Sequence, residues 1–328
     1  MNQEIPNENT WLVVVNPNAG KKKGEKDWPV ISSLLTEAGF EYISLFTAHR
    51  GHAMDMTERH IMAGFKKILV VGGDGTLNEV VNGIFRQSRF ETTDITVGMI
   101  MVGTGNDWGR MYNLREKYKK AVKTIKKNRL FIQDACLVTY YNGEKEEQRY
   151  LVNMAGLGYD AMVAYMTNRV KDEGGGGTMT YLVNLLKGLF RYHHAYLDIA
   201  VDGQTVYNGK VFSMNVGICK FNGGGMMQLP FAIPDDGLLD VTIYKNVTKM
   251  KVIRNIKRLY SGHITGLPFV QVHTGTTVTV ASTVKSQSNL ETDGESLGHT
   301  PFRFEIVPRC IRVITGKNWQ EKHAPKED

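Results

Sequence analysis

Two short glycine-rich segments carry residues that could perform chemistry, and each follows an apolar run. They are Gly72-Gly-Asp-Gly-Thr76 and Gly103-Thr-Gly-Asn-Asp107. Glycines at a strand-to-helix turn let the backbone approach a ligand closely, and the unpaired N–H groups at a helix start bind phosphate. Asp74 stands in an otherwise uncharged turn, where a carboxylate suits a magnesium ion that carries nucleotide phosphates. The first segment therefore indicates phosphoryl transfer rather than a purely structural turn.

The residues around these turns predict alternating strands and helices. Apolar residues at helical spacing follow the first turn, from Leu77 to Phe85. Strands that alternate with helices predict a parallel sheet with right-handed crossovers, which binds ligands at the carboxyl ends of its strands. The predicted strands are Trp11 to Val15, Tyr42 to Phe46, Ile68 to Val71 and Ile95 to Val102, and further helices are predicted through Ile31 to Ala38 and Met54 to Phe65.

After about Asp134 the pattern changes to antiparallel β structure. Asn142-Gly143 and Asp202-Gly203 each lie between apolar runs, which is a strong signal for a β-hairpin. Helices are predicted near 178–190 and 249–261, and the last strands are expected to return toward the first domain. The predicted strands are Leu137 to Tyr141, Arg149 to Asn153, Tyr196 to Val201, Thr205 to Tyr207, Val211 to Gly217, Leu239 to Tyr244, Val270 to Val280, Phe302 to Ile306 and Ile311 to Ile314.

Length and composition place the chain among folded proteins with two domains. The 328 residues are 42% hydrophobic and 22% charged, and a chain of this length is long for a single core. We expect an α/β domain over 1–134, joined by the segment 307–328, and a β-rich domain over 135–306. The net charge of +7 suits an anionic partner such as a nucleotide or an acidic lipid, and we do not predict a nucleic-acid partner.

Cysteine usage and hydropathy predict a cytoplasmic protein. The 3 cysteines are far apart, so neither a disulfide framework nor a zinc spacing can be drawn from them, which fits a reducing compartment. The polar start of the chain lacks the apolar core of a signal peptide. No apolar run approaches the ~18–20 residues of a transmembrane helix, so we expect any contact with a membrane to be peripheral.

The order of several motifs resembles a known family. Asn16-Pro-x-x-Gly20, the turn extended as Gly72 to Glu79, Gly103 to Asp107 with Arg110, and a late Asp293-Gly-Glu295 follow one another along the chain. This order is similar to the diacylglycerol kinase catalytic fold of soluble bacterial lipid kinases, a superfamily that includes sphingosine and ceramide kinases. The resemblance covers roughly residues 11–315, including the blocks 153–160 and 230–240. It implies an N-terminal α/β domain, a β-rich C-terminal domain and an active site in the cleft between them.

The resemblance also implies a set of ATP contacts in the first domain. Short side chains and backbone amides at these positions would surround the phosphates, while Asp74 would hold Mg²⁺. The chain departs from the family at Asn18-Ala19, where a serine is common, which puts one hydroxyl contact to phosphate in doubt. The implied contacts are Asn16, Asn18, Gly20, Thr47, Gly73, Asp74, Gly75, Thr76, Leu77, Asn78, Glu79, Thr104, Asn106 and Asp107.

Glu295 is the predicted general base. A lipid hydroxyl must lose its proton as it attacks the γ-phosphate, and a carboxylate within hydrogen-bond reach can accept that proton. Gly294 permits a sharp turn that could aim Glu295 into the cleft while Asp293 turns elsewhere. Without the accompanying motifs, the same residues would be interpreted as a solvated acidic loop.

A second acidic turn is predicted to hold a structural magnesium ion. The resemblance implies ligands from the Asp236 side chain and from the backbone oxygens of Ile233 and Leu238. Hard oxygen ligands completed by water suit this ion. The alternative is an ordinary turn in which Asp235 and Asp236 are surface charges.

Three further features have weaker functional interpretations. The segment Thr248 to Ser261 is a basic amphipathic helix, which could lie on anionic lipid or present a solvated face over a packed one. Tyr181 to Phe190, after the loop Gly174 to Gly177, could border a lipid-tail channel or belong to the core. His193-His194 lack a third ligand at metal spacing, and we interpret them as incidental.

The leading functional prediction is an ATP-dependent lipid kinase, with Glu295 as the base and Asp74 at the magnesium–ATP. An NAD kinase shares the Gly-Gly-Asp-Gly-Thr turn and is the nearest enzymatic alternative. A non-catalytic relative that binds lipid or nucleotide is the other alternative, although it would be expected to lose Asp74 or Glu295. The acceptor lipid and the oligomeric state, including a homodimer, stay open.

Overall fold

The computed structural model describes residues 7–159, 189, 192, 194–282, 289–293 and 295–320. It divides into two compact units. The first unit comprises Met1–Ala135, Phe221–Gly225 and Pro308–Asp328, and the second comprises Cys136–Lys220 and Met226–Val307. The Gly174 to Gly177 loop, most of the predicted helix 178–190, His193 and Gly294 lie outside the described residues.

The first unit is built on a parallel sheet, as predicted. Its strand order is β2-β1-β3-β4, followed by the end of β16 (Glu295–Ile314). Arg312 and Val313 of β16 pair in parallel with Thr96 and Val97. The elements of this unit are β1 (Trp11–Val15), α1 (Ala19–Glu37), β2 (Tyr42–Phe46), α2 (His52–Ala63), β3 (Lys67–Gly72), α3 (Asp74–Arg86), a 3-10 turn (Thr92–Asp94), β4 (Thr96–Met101), α4 (Asp107–Met111), α5 (Tyr118–Lys127), the start of β5 (Leu130–Asn142) and β10 (Phe221–Asn222).

Both faces of this sheet are buried, as the continuous apolar strands require. Successive strand residues point to opposite faces, and all of β1 is buried. On one face, Val13 and Val71 belong to a core cluster with Ile31 and Leu35 of α1 and with α5 residues such as Ile125. The helices α1 and α5 therefore cover the same face of the sheet.

The second unit is mostly antiparallel, again as predicted. Both hairpins form: β5 pairs with β6 up to Asn142↔Lys145, and β8 pairs with β9 up to Val201↔Gln204. The elements of this unit are the rest of β5, β6 (Lys145–Leu151), β7 (Met154–Gly158), β8 (Ala195–Val201), β9 (Gln204–Gly217), β11 (Met226–Met227), β12 (Leu239–Lys245), α6 (Lys249–Ser261), β13 (Val270–Gly275), β14 (Thr277–Ser282), β15 (Asn289–Thr292) and most of β16.

Three strand boundaries predicted from the sequence are wrong. The predicted strand Val270 to Val280 is two strands, because the Asp202 carboxylate accepts hydrogen bonds of 2.9 Å from the N–H groups of Thr276 and Thr277 and bends the chain there. Conversely, Thr205 to Tyr207 and Val211 to Gly217 are one strand, β9, since Asn208 and Gly209 stay paired with β8. Phe302 to Ile306 and Ile311 to Ile314 likewise form one strand, β16.

Within the part of the chain that the structure describes, no helix combines the length and the apolar character needed to cross a membrane.

Candidate functional site

The two glycine turns touch each other at the carboxyl ends of β3 and β4 in the first unit. The N–H groups of Val102 and Gly103 both donate to the carbonyl oxygen of Gly72, at 3.0 and 3.1 Å. A Cβ on Gly103 would lie only 2.6 Å from the Cα of Gly73. A side chain at either position would push the two turns apart, so the contact requires glycine.

Asp74 links the first turn to the second. Its Oδ2 accepts from the N–H of Asp107 and its Oδ1 accepts from the N–H of Trp108, both at 3.1 Å. These N–H groups belong to the first turn of α4, where a carboxylate is favoured by unpaired donors and by the helix dipole. The Asp74 carboxylate therefore joins the first glycine turn to the start of α4.

The loop after β1 completes this arrangement. Asn16 donates from Nδ2 to Thr76 Oγ1 at 2.9 Å and accepts from the N–H of Asn18 at 3.0 Å. Gly20 adopts the left-handed conformation, with φ of 61°, and a Cβ there would lie 2.0 Å from the carbonyl oxygen of Val102. Three loops thus converge, and most of the predicted nucleotide contacts lie on them.

The side chains of four other predicted nucleotide contacts take no part in the loop hydrogen bonds described above. Thr47 follows β2, and its N–H donates to Val15 at 2.9 Å, whereas Thr104 is exposed on the second turn. Leu77 and Asn78 are fully buried, so their side chains face the protein interior and only their backbone is suited to a nucleotide contact.

The Glu79 carboxylate is already engaged by the protein. It accepts from the N–H of Gly51 at 2.7 Å and from the N–H of Ala53 at 3.0 Å. These donors lie at the start of α2, so Glu79 satisfies the N-terminal N–H groups of that helix. Its observed role is to join α3 to α2, and its role toward ATP stays a prediction.

The segment Phe221–Gly225 is a neighbour of the second turn that sequence reasoning missed. The N–H of Gly224 donates to Asp107 Oδ2 at 2.8 Å, and Arg110 Nη2 donates to the Gly224 carbonyl at 3.2 Å. A Cβ on Gly225, whose φ is 106°, would lie 2.7 Å from the Arg110 Cζ. The run of three glycines at 223–225 was the available signal, because such a run permits close backbone approach.

Asp107 is buried beside this segment, with 4% of its surface exposed. Burial raises the pKa of its carboxyl, while the N–H of Gly224 and the nearby Arg110 guanidinium act in the opposite direction. The Nε of Arg110 lies 3.6 Å from Asp107 Oδ1. The second turn therefore holds a carboxylate and a guanidinium together, as expected where anionic phosphate groups and a cation are bound.

In the second unit, Glu295 begins β16 directly after a tight hairpin turn. Its backbone pairs with Thr292 of β15, and the orientation of its side chain lies outside the described residues. Asp293 is 4% exposed and accepts from the N–H groups of Val152 and Met154, both at 3.2 Å. Asp293 therefore attaches the hairpin turn to the segment that precedes and begins β7.

The predicted metal turn, also in the second unit, contains one carboxylate ligand. Asp236 Oδ1 accepts from the N–H of Leu238 at 3.0 Å, and Ile233 is exposed. Burial and the neighbouring Asp236 raise the pKa of Asp240 to about 7, although Lys220 acts in the opposite direction. A carboxyl whose ionisation is disfavoured by burial and by a neighbouring carboxylate, as at Asp240, would gain from a nearby cation, so the acidic residues of this turn are chemically compatible with a magnesium ion. Among the described residues there is no group of three or more His, Cys, Asp or Glu that could hold a metal.

Comparison with known families covers most of the chain. Residues 10–138 match the diacylglycerol kinase catalytic domain. Residues 153–315 match the YegS C-terminal NAD kinase beta sandwich-like domain. The chain belongs to the diacylglycerol kinase-like family. The resemblance inferred from the motif order is thereby confirmed.

Relatives of this diacylglycerol kinase-like chain match it over nearly its whole length. A diacylglycerol kinase from Staphylococcus carnosus is 27% identical over 316 residues, which is 96% of this chain and 98% of the relative. A crystal structure of a diacylglycerol kinase from Bacillus anthracis superposes with a TM-score of 0.67 at 21% identity, covering 94% of this chain and 97% of that chain. The structural match shows a shared fold.

The fold of this family is also found in a kinase of a different substrate class. Yeast NADH kinase, solved in complex with NADH, superposes with a TM-score of 0.54 at 12% identity, covering 98% of this chain and 87% of that chain. Because one fold can host several activities, fold similarity alone does not select the acceptor.

Proposed function

We propose that this member of the diacylglycerol kinase-like family transfers the γ-phosphoryl group of ATP to a hydroxyl group of diacylglycerol or a related lipid. Membership in the family supports a kinase activity, and the choice of a lipid acceptor is the further step of the proposal. The observation that best supports phosphoryl transfer is the position of Asp74. Its carboxylate joins the two glycine turns, and a carboxylate at this position would suit the magnesium ion that accompanies nucleotide phosphates.

The first unit would bind the nucleotide. The convergent loops have no room for a Cβ at Gly20 or Gly103, and glycines at such turns let backbone N–H groups approach phosphate closely. Asp74, together with the neighbouring Asp107, would hold Mg²⁺, which neutralises phosphate charge when bound. The role of these residues is to fix the phosphates before the reaction.

The second unit would supply the base. We propose that Glu295 accepts the proton of the attacking hydroxyl group. Asp293 supports this role indirectly, because its two bonds to the backbone of residues 152 and 154 fix the turn that precedes Glu295. Asp293 is therefore a positioning residue in this proposal.

The acceptor is tested by measuring radiolabel transfer from ATP into a panel of lipids in detergent micelles, with NAD and NADH as parallel acceptors. Label in a lipid fraction supports the proposal, whereas label in NAD or NADH alone would identify an NAD kinase-type activity. ATP binding without transfer to any acceptor would indicate a non-catalytic relative.

Asp236→Ala is expected to lower thermal stability and activity together. We propose that the Asp236 side chain and the backbone oxygens of Ile233 and Leu238 bind a structural magnesium ion, and a ligand that binds only the folded state raises its stability. Magnesium should therefore raise the melting temperature of the parent and not that of the variant. Asp235→Ala, which changes the adjacent carboxylate, is the control. An unchanged magnesium response in Asp236→Ala would contradict the metal site.

The lipid acceptor requires a peripheral approach to a membrane, which we propose to occur from the cytoplasmic side through α6. Its inner residues Val252, Ile253 and Leu259 pack against a core cluster of the second unit. On its other sides, Met250 and Tyr260 are more than half exposed. The exposed cations on this helix are Lys251, Arg254, Lys257 and Arg258.

Binding to vesicles that contain phosphatidylglycerol is expected at low salt and should be lost at high salt. Each cation near an anionic surface contributes about 1 kcal/mol, and screening shortens the reach of this attraction from ~10 Å at 0.1 M salt to ~3 Å at 1 M. Replacing Lys251, Arg254 and Arg258 by glutamate should weaken co-sedimentation strongly. The same replacement at three exposed lysines of α5, Lys119, Lys123 and Lys127, controls for net charge.

Two outcomes would contradict this membrane proposal. Equal binding to neutral and anionic vesicles would indicate hydrophobic insertion instead of electrostatic attraction. Equal losses in the α6 variant and in the α5 control would show that overall charge, rather than this helix, attracts the protein to the bilayer.

A further inference from the structure

A pocket of about 410 Å³ lies in the first unit beside the second glycine turn. Its volume is in the range of small-molecule sites. Of its lining residues, only Asn106 belongs to the predicted nucleotide contacts. The lining residues used below are Lys23, Asn106, Arg115, Glu116, Lys117 and Tyr118.

The pocket carries uncompensated positive charge. Arg115 and Lys117 are exposed, and neither forms an ion pair within the described part of the chain. The carboxylate of Glu116 is engaged elsewhere: it lies 2.8 Å from Lys120 Nζ and accepts from Thr124 Oγ1, also at 2.8 Å. The acidic lining residue therefore does not neutralise the two cations.

The third cation is only partly compensated. Lys23 Nζ lies 3.6 Å from Asp27 Oδ2, and the same oxygen accepts a hydrogen bond of 2.5 Å from the Tyr118 hydroxyl group. Lys23 Nζ also lies 5.5 Å from the centroid of the Tyr118 ring. These contacts hold Lys23 at the pocket wall and leave further N–H donors of its ammonium group for an anion.

Asn106 contributes a hydrogen-bond acceptor to the pocket, whereas the cations contribute donors. Its Nδ2 donates to the carbonyl oxygen of Gly103 at 2.8 Å, which fixes the orientation of the amide. The residue is 9% exposed. Its Oδ1 is buried and has no hydrogen-bond partner among the described residues. A buried acceptor without a partner is costly, so a ligand that donates a hydrogen bond would be favoured here.

We propose that this pocket binds a phosphate ester that also carries a hydroxyl group. Lys23, Arg115 and Lys117 would bind the phosphate through charge-assisted hydrogen bonds, and Asn106 Oδ1 would accept a hydrogen bond from the hydroxyl group. The site goes beyond the proposed kinase activity and does not depend on it. Such a ligand could be the phosphoglycerol headgroup of an anionic lipid or a soluble polyol phosphate.

The soluble source is tested by calorimetric titration of the full-length protein with glycerol 3-phosphate and with methyl phosphate, which lacks the free hydroxyl groups. Glycerol 3-phosphate is expected to bind, and the double variant R115Q/K117Q should weaken it by roughly tenfold or more. The control K119Q/K123Q removes the same charge from exposed positions of α5 outside the pocket, and binding should change less than twofold.

The lipid source is tested with vesicles of phosphatidylglycerol and of phosphatidylmethanol, which carries equal charge but no headgroup hydroxyl. Stronger binding of the parent to phosphatidylglycerol, lost in R115Q/K117Q, would identify the lipid headgroup as a ligand. Tighter binding of glycerol 3-phosphate than of methyl phosphate, without a preference between the two lipids, would identify a soluble ligand. Either result supports the pocket.

Four results would overturn the proposal. The first is the absence of a difference between R115Q/K117Q and K119Q/K123Q in both assays. The second is equal binding of glycerol 3-phosphate and methyl phosphate together with equal binding of the two lipids. The third is loss of glycerol 3-phosphate binding in the presence of a saturating non-hydrolysable ATP analogue, since the pocket would then belong to the nucleotide site. The fourth is no measurable binding of any of these probes. ATP-dependent transfer to lipid, measured separately, would be unaffected by such a failure.

Discussion

Glu295→Gln is expected to lower the turnover of lipid phosphorylation by roughly 10²–10⁴-fold, the contribution typical of a general base. Glutamine keeps the size of the side chain but cannot accept the proton of the attacking hydroxyl group. ATP binding should be retained, because the predicted nucleotide contacts lie in the first unit. Turnover is measured with saturating lipid and ATP, and ATP affinity is measured by calorimetry.

Glu305→Gln provides a matched control in the same strand. Glu305 is 38% exposed at its side chain and pairs with Arg303 at 2.8 Å, so its loss should leave turnover nearly unchanged. Near-normal turnover in Glu295→Gln would remove Glu295 from the role of base. A loss of ATP binding in that variant would instead indicate a structural defect.

Asp74→Asn is expected to reduce phosphoryl transfer by roughly 10²-fold or more, because a metal ion provides several kcal/mol of transition-state stabilisation. The amide would also present an NH₂ group to one of the two N–H donors that Asp74 now accepts, at Asp107 and Trp108. The turn therefore does not depend on its glycines alone. We expect a lower melting temperature along with a steeper magnesium requirement.

Asp94→Asn serves as the control for Asp74→Asn. Its side chain is 48% exposed and lies 3.9 Å from Lys66 Nζ. Asp94 precedes β4, so it lies at the end of that strand opposite the second glycine turn. Activity is measured across a magnesium titration for both variants. If Asp74→Asn retained parental activity at ordinary magnesium concentrations, the metal would have to be bound by other residues.

Much of the architecture follows from local sequence. Fully apolar runs such as Trp11 to Val15 predict buried parallel strands, and Asn142-Gly143 predicts a hairpin, because these signals depend on neighbouring residues only. The predicted boundaries of β9, β13, β14 and β16 are wrong because they depend on residues that are distant in sequence. Whether a strand continues past Gly209 or breaks at Thr276 is decided by its partners, β8 and Asp202, which lie elsewhere in the chain.

The candidate site likewise combines features that follow from local sequence with features that depend on distant residues. The two glycine turns are adjacent because parallel strands end at one edge of the sheet, and that adjacency can be derived from sequence. The bonds of Glu79 to α2 and of Gly224 to Asp107 join residues that are distant in sequence, so no local pattern contains them. The positive pocket beside Asn106 also arises only when α1 and the segment before α5 are brought together.

The end of β16 has a consequence for synthesis of the chain. Ile311, Val313 and Ile314 are buried in the first unit, where this segment pairs with β4. Since a ribosome produces the chain from its N-terminus, the edge of β4 that pairs with β16 stays unpaired until residues 311–314 have been made. An exposed strand edge can pair with other chains, and long-range closure slows folding. Truncated or stalled products that lack the end of β16 should therefore aggregate, and the first unit cannot complete its sheet before the second unit has been synthesised.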